Sequence, residues 1–180
     1  MTGIELLLNR QSTPVVTSPA PKGEELNQIL AAGARVPDHA GLKPWHFTVI
    51  TENGLQRLSD LFVASSQQQN ANIEKIAKMP FRAPMIIAIS TQFISHDKVP
   101  NQEQLITAGC CAHAMQMAAF TLGFGAMWRT GNLAYNNLVK KGLDISEENE
   151  IIGFLYIGTP CKEQNLKPNK NFENQVSYWS

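Results

Sequence analysis

Residues 103–122 read EQLITAGCCAHAMQMAAFTL, and residues 123–131 continue as GFGAMWRTG. Alanine, methionine, cysteine and leucine recur on most sides of the first stretch, leaving almost no polar face for water. Such a helix has to be surrounded by the rest of the chain. The pattern predicts a long buried spine through the middle of the molecule, ended by Gly123. Beyond that glycine, Gly125 to Trp128 predicts a short strand.

Working outward, Pro84 to Thr91 contains Met85-Ile86-Ile87-Ala88-Ile89, too continuously apolar for a sheet with one wet face, and so belongs at the sheet centre. Ile151 to Ile157 has the same interior character. His46 to Thr51 is rich in β-branched and aromatic residues and bounded by Pro44 and by Asn53-Gly54, which predicts a further strand. Helical spacing appears over 3–10, through Ile4, Leu7 and Leu8, and over Gly23 to Ala34, where Leu26, Ile29 and Leu30 form the stripe and Pro37 ends it. Leu55 to Ala64 and Asn136 to Lys141 also read as helices. Ser65 to Met79, rich in Gln and Asn, reads either as a helix or as a mobile excursion. The alternation of helices and strands suggests an α+β or α/β domain with four or five strands enclosed by helices.

A chain of 180 residues can bury one good core, so a single domain over 1–180 is expected. Hydrophobic residues make up 43% and charged ones 17%, which is a globular composition. Fifteen basic and fifteen acidic residues cancel, so no summed field draws in nucleic acid or an anionic bilayer. Cys110, Cys111 and Cys161 form no C-x-x-C pair, and their odd number argues against a disulfide framework, so a cytoplasmic location is expected. The first residues lack a signal-peptide pattern, and no segment stays apolar long enough to cross a bilayer.

Three segments carry chemistry. The first is Asn9-Arg10-Gln11-Ser12, at the end of the opening helix. The second runs Ala34-Arg35-Val36-Pro37-Asp38-His39 and reaches Pro44-Trp45-His46-Phe47. The third joins Ala108-Gly109-Cys110 to Gly123 through Gly131, followed by Ile152-Gly153-Phe154-Leu155-Tyr156-Ile157-Gly158. Together they resemble the FMN-dependent nitroreductase family, in particular its short bacterial members. The resemblance implies an α+β homodimer with a central mixed sheet of four to five strands, in which each FMN is held by residues of both subunits. By position, Arg10, Gln11 and Ser12 match the phosphate and ribityl segment, Arg35 and His39 the loop supplied by the partner, and Trp128, Arg129 and Thr130 the segment along the flavin ring. It also implies transfer of electrons from NAD(P)H to a nitroaromatic, quinone or similar planar acceptor in ping-pong order. A non-catalytic flavin-binding or flavin-storing dimer is the alternative, and a cysteine-based hydrolase or transferase a third reading.

The residue types suit those roles, though each has a plainer reading. A guanidinium grips phosphate through paired hydrogen bonds, with a hydroxyl filling a further oxygen, so Arg10 and Ser12 make a sensible clamp. Equally, Arg10 complements the negative end of a helix. His39 either donates to the flavin or bonds Asp38 or a backbone carbonyl within its loop. Trp45 and Phe47 read as core. Gly123-Phe124-Gly125 lacks the third glycine and the opening helix of a dinucleotide fingerprint, so a Rossmann site is not expected. No metal site is expected, since His113 near Cys110 gathers no further ligands, and no catalytic side chain is named. Pro14, Val15 and Val16 stand where the family often has a second cation, leaving Arg129 or the tail lysines Lys162, Lys167 and Lys170 to help neutralise a phosphate.

Overall fold

The structure is a computed structural model that describes residues 2–67, 72–162 and 170–180. Its elements run α1 (Gly3–Asn9), β1 (Val16–Thr17), α2 (Glu24–Gly33), β2 (Trp45–Thr51), α3 (Asn53–Ser66), α4 (Ile73–Ala77), β3 (Met85–Thr91), α5 (Asn101–Thr121), β4 (Gly125–Arg129), α6 (Asn137–Gly142) and β5 (Ile151–Pro160). The α+β expectation holds. The predicted excursion over 65–79 resolves at its two ends into the last turn of α3 and the short α4, while residues 68–71 lie outside the described residues.

β3 lies between β2 and β5, and β5 pairs in turn with β4 and with the two-residue β1. Every pairing is antiparallel, so the sheet is not mixed as expected. A strand covered on both faces is continuously apolar whichever way its neighbours run, and the apolar runs therefore carried no information on direction. All seven residues of β3 are buried, as a central strand requires. Side chains alternate between two cores. One face carries Ile50, Ile86, Ala88, Phe154 and Tyr156 against Leu58 and Phe62 of α3. The other carries Met85, Ile87, Ile89, Leu155 and Ile157 against Ile29 of α2 and Ala112, Met115 and Ala119 of α5.

The spine helix is as long as its sequence predicts and stops at Gly123, whose φ of +83° a glycine adopts without strain. Its burial, however, is one-sided. Ala108, Cys111, Ala112 and Met115 are fully enclosed, whereas Leu105 and Ile106 are exposed, as is His113 two turns further along. Helix α1 is similar: Thr2 and Glu5 form a reciprocal capping box at its start, yet Ile4, Leu7 and Leu8 stay 56–62% exposed. The amphipathic stripe read from the sequence is present and open.

Where β3 meets β5 the register slips, Ile89 facing Gly153 and Ser90 facing Ile151, so that Ile152 bulges from the ladder. Its carbonyl is taken up by the Trp128 indole, Nε1 donating at 3.1 Å. The indole lies so close over Gly153 that a Cβ there would fall on its ring atoms. Gly153→Ala is thus expected to displace Trp128 and cost about 2 kcal/mol or more, read as a lower denaturation midpoint with a shifted tryptophan emission.

Candidate functional site

The free margin of β4 is where two of the sequence segments meet. β4 pairs with β5 along one edge. At its other side the backbone N–H of Thr13 donates to the Ala126 carbonyl at 2.9 Å. A Cβ on Gly125 would meet Val16 Cγ1 at 2.7 Å and Thr13 Cγ2 at 2.8 Å, so a glycine is what lets residues 13–16 lie against the strand. Arg129 Nη2 donates to the Pro14 carbonyl at 3.1 Å. From α5, Gln116 Nε2 donates to the Ala126 carbonyl at 3.1 Å and to Ser12 Oγ at 3.4 Å. The stretch from Ser12 to Pro14 is therefore pinned by main chain, by an arginine and by a buried amide.

Two cationic groups at this margin are incompletely paired. Arg10 Nη1 and Arg129 Nε are both buried and have no hydrogen-bond partner among the described residues. Buried polar nitrogens are almost always bonded, and one left alone costs free energy that a bound acceptor would recover. The Arg129 guanidinium stands 5.4 Å from the centroid of the Tyr156 ring. Burial raises the Tyr156 hydroxyl above its ordinary pKa, while the charges of Arg129 and Arg82 pull it the other way. That hydroxyl keeps its proton at neutral pH and can donate.

Beside these groups lies an open cavity of about 360 Å³, walled by Phe62, Met79, Met127, Leu133 and Phe154 and edged by Arg82, Trp128, Arg129, Thr130, Gly131 and Tyr156. Its lining has two cations and no carboxylate. A second cavity of about 260 Å³, between β2, α3 and the end of α6, touches none of the residues singled out by sequence.

The remaining predicted residues divide. Gln11 is half-buried within the pinned segment. The Trp128 indole is held by Ile152 and packs close to Gly109 as well as Gly153, so its ring serves the core. Thr130 is exposed just past the strand. Arg35 is exposed beyond the end of α2. His39 is exposed too, its Nδ1 2.8 Å from Glu103 Oε2; Asp38, named beforehand as its alternative partner, accepts instead from the Lys43 N–H. Glu103 and Gln116 sit on the same helix thirteen positions apart (116 − 103), about 20 Å at 1.5 Å per residue. Within one chain His39 therefore lies far from Ser12. In the tail, Lys162 and Lys170 are exposed, and Lys167 lies outside the described residues.

Gln116, Arg82 and Tyr156 were not singled out beforehand. For Gln116 a signal existed: an amide inside an otherwise apolar helix needs partners, and such a residue marks a place where the helix meets polar backbone. Nothing in the sequence tied Arg82 to Tyr156, which only the fold brings to one cavity.

Cys111 is not poised as a nucleophile. Burial, with the neighbouring Cys110 adding to it, pushes the Cys111 thiol up to about 12. Among the described residues no three His, Cys, Asp or Glu side chains gather as metal ligands, and no helix is long and apolar enough to cross a membrane.

The margin thus combines an apolar cavity edged by Arg82 and Arg129 with two buried guanidinium nitrogens that have no partner among the described residues. Comparison with known proteins makes this specific. A model of the Nitroreductase family matches residues 8–159, and the chain belongs to that family. It is 44% identical over 164 residues to the Escherichia coli K12 protein named "Putative NAD(P)H nitroreductase YdjA", covering 89% of each chain. A Haemophilus influenzae protein named "Putative NAD(P)H nitroreductase" is 33% identical over 163 residues, covering 88% of this chain and 89% of its own. Among solved structures, a nitroreductase-like protein of Bacillus cereus superposes with a TM-score of 0.87 at 19% identity, over 99% of this chain and 96% of that one. A nitroreductase of Bacteroides fragilis, solved with bound FMN, superposes at 0.75 and 19% identity over 98% of both chains.

Thiol titration of the native protein at pH 8 checks the cysteine environment. Exposed Cys161 is expected to react first and Cys111 only after unfolding; rapid native modification of Cys111 would contradict its burial.

Proposed function

We propose that this protein is an FMN-dependent oxidoreductase acting as a homodimer, with electrons taken from NADH or NADPH and given to a small planar acceptor. The observation that carries the reading is the pair of buried guanidinium nitrogens, Arg10 Nη1 and Arg129 Nε, that have no partner among the described residues and lie in two of the segments that resemble a flavin site. A phosphomonoester beside Arg10 and Ser12 satisfies the first. The largely apolar cavity at the end of β4 takes the flat ring, with the main chain of Trp128 to Thr130 along one edge.

Dimerisation completes the account. Arg35 and His39 of the partner subunit reach the flavin, because this chain's own His39 is anchored some 20 Å away along α5. The open apolar stripes of α1 and α5, with Ile4, Leu7, Leu8, Leu105 and Ile106, are the surface that a two-fold contact covers. Three unpaired cysteines fit a cytoplasmic setting.

FMN held by these residues would supply the redox chemistry that links nicotinamide oxidation to reduction of a nitroaromatic, quinone or similar acceptor, in ping-pong order. The protein's residues do the rest. Phe62, Met79 and Phe154 exclude water from one side of the cavity, which strengthens every charge interaction inside it. Arg129 and Arg82 favour a ligand state carrying negative charge. Tyr156 holds its proton and donates. No side chain is assigned as acid, base or nucleophile.

The visible spectrum of purified protein, recorded before and after addition of reduced nicotinamide, tests this directly: a flavin band that bleaches is expected. A band that persists with both NADH and NADPH would leave a flavin-storing dimer, and protein that stays colourless and monomeric when FMN is supplied would refute the proposal. Arg10→Ala is expected to weaken FMN binding by about one to two powers of ten, from the loss of one charge-assisted interaction, measured by fluorescence titration.

A further inference from the structure

We propose that Gln116 is a positioning residue that fixes the direction of the Ser12 hydroxyl, so that Ser12 donates its proton to a phosphomonoester oxygen of the bound ligand. The inference rests on the FMN reading above. Gln116 is 5% exposed, three-quarters of the way along a helix whose neighbouring positions are apolar. Its Nε2 lies 3.1 Å from the Ala126 carbonyl oxygen, a group that can only accept, and this settles which end of the amide faces the strand. The amide nitrogen carries two hydrogens. One goes to Ala126, and the other is directed at Ser12 Oγ, 3.4 Å away.

A hydroxyl that accepts from a pure donor keeps its own proton for a different partner. The Ala126 carbonyl is not that partner, because its two lone pairs already receive Gln116 Nε2 and the Thr13 N–H. Ser12 is exposed on its other side, in the segment that also holds the unpaired Arg10 nitrogen. One buried amide thus ties α5, β4 and the Arg10 to Ser12 segment into a preset donor array. A hydroxyl free to rotate would lose part of its binding contribution to ordering.

A double-mutant cycle tests the assignment. Dissociation constants for FMN and for riboflavin, which lacks the phosphate, are measured for wild type, Ser12→Ala, Gln116→Met and the double variant. Gln116→Met is nearly isosteric and apolar. It is expected to weaken FMN about three- to tenfold and leave riboflavin unchanged, with no further loss when Ser12 is already alanine. Gln116→Glu supplies an independent variant, since a carboxylate accepts the Ser12 proton, turns it from the ligand and repels a phosphate; its loss for FMN is expected to equal or exceed that of Ser12→Ala. Losses that multiply in the double variant, or that fall equally on riboflavin, would overturn the inference. Wild-type protein that binds neither flavin would instead refute the proposed function, and is separable on that ground.

Discussion

β5 has to be paired along both of its edges, and the rest of the molecule is arranged around that requirement. Its residues are buried between two cores, where an unbonded N–H or C=O has no water to turn to. β3 satisfies one edge and β4 the other, while β1 caps the far end. The one carbonyl released by the bulge at Ile152 is recovered by the Trp128 indole. With β5 consumed, β4 becomes the outer strand, and its open margin is where residues 13–16 come to lie. The site is thus a consequence of where pairing stops.

What collects at that margin is polar and cationic in a molecule of zero net charge. Arg10, Ser12, Gln116 and Arg129 come from three separate stretches of chain, and only tertiary packing joins them. Two guanidinium nitrogens remain buried without acceptors among the described residues, an arrangement that is costly alone and favourable around an anion. His39, by contrast, is committed to Glu103 at the opposite end of the spine helix. A two-fold partner with its own helix reversed brings that far end to the near one, which is how the proposed dimer reconciles one sequence motif with two locations.

Much of this was legible beforehand. The strands β3 and β5 announce themselves through unbroken apolar runs, α5 through its length and lack of a polar face, and the end of α5 through Gly123. Strand direction was not legible, because a doubly covered strand looks the same in either orientation. β1 escaped notice since two residues leave no period. The residues quoted from the resemblance could be named from contiguous motifs, but the packing of the Trp128 ring in the core could not, and Gln116 stood unremarked in the very stretch that defines the spine.

The sequence by itself determined most of the elements, the burial of β3 and β5, and the family, because those depend on local periodicity and on motifs contiguous in the chain. Tertiary structure alone decided which edge of β4 stays open, that an amide on α5 meets Ser12 across more than a hundred residues of chain, and that His39 lies beyond reach of its own site. Hydrogen bonds between remote segments depend on relative placement to within half an ångström or so, and no local pattern encodes that placement.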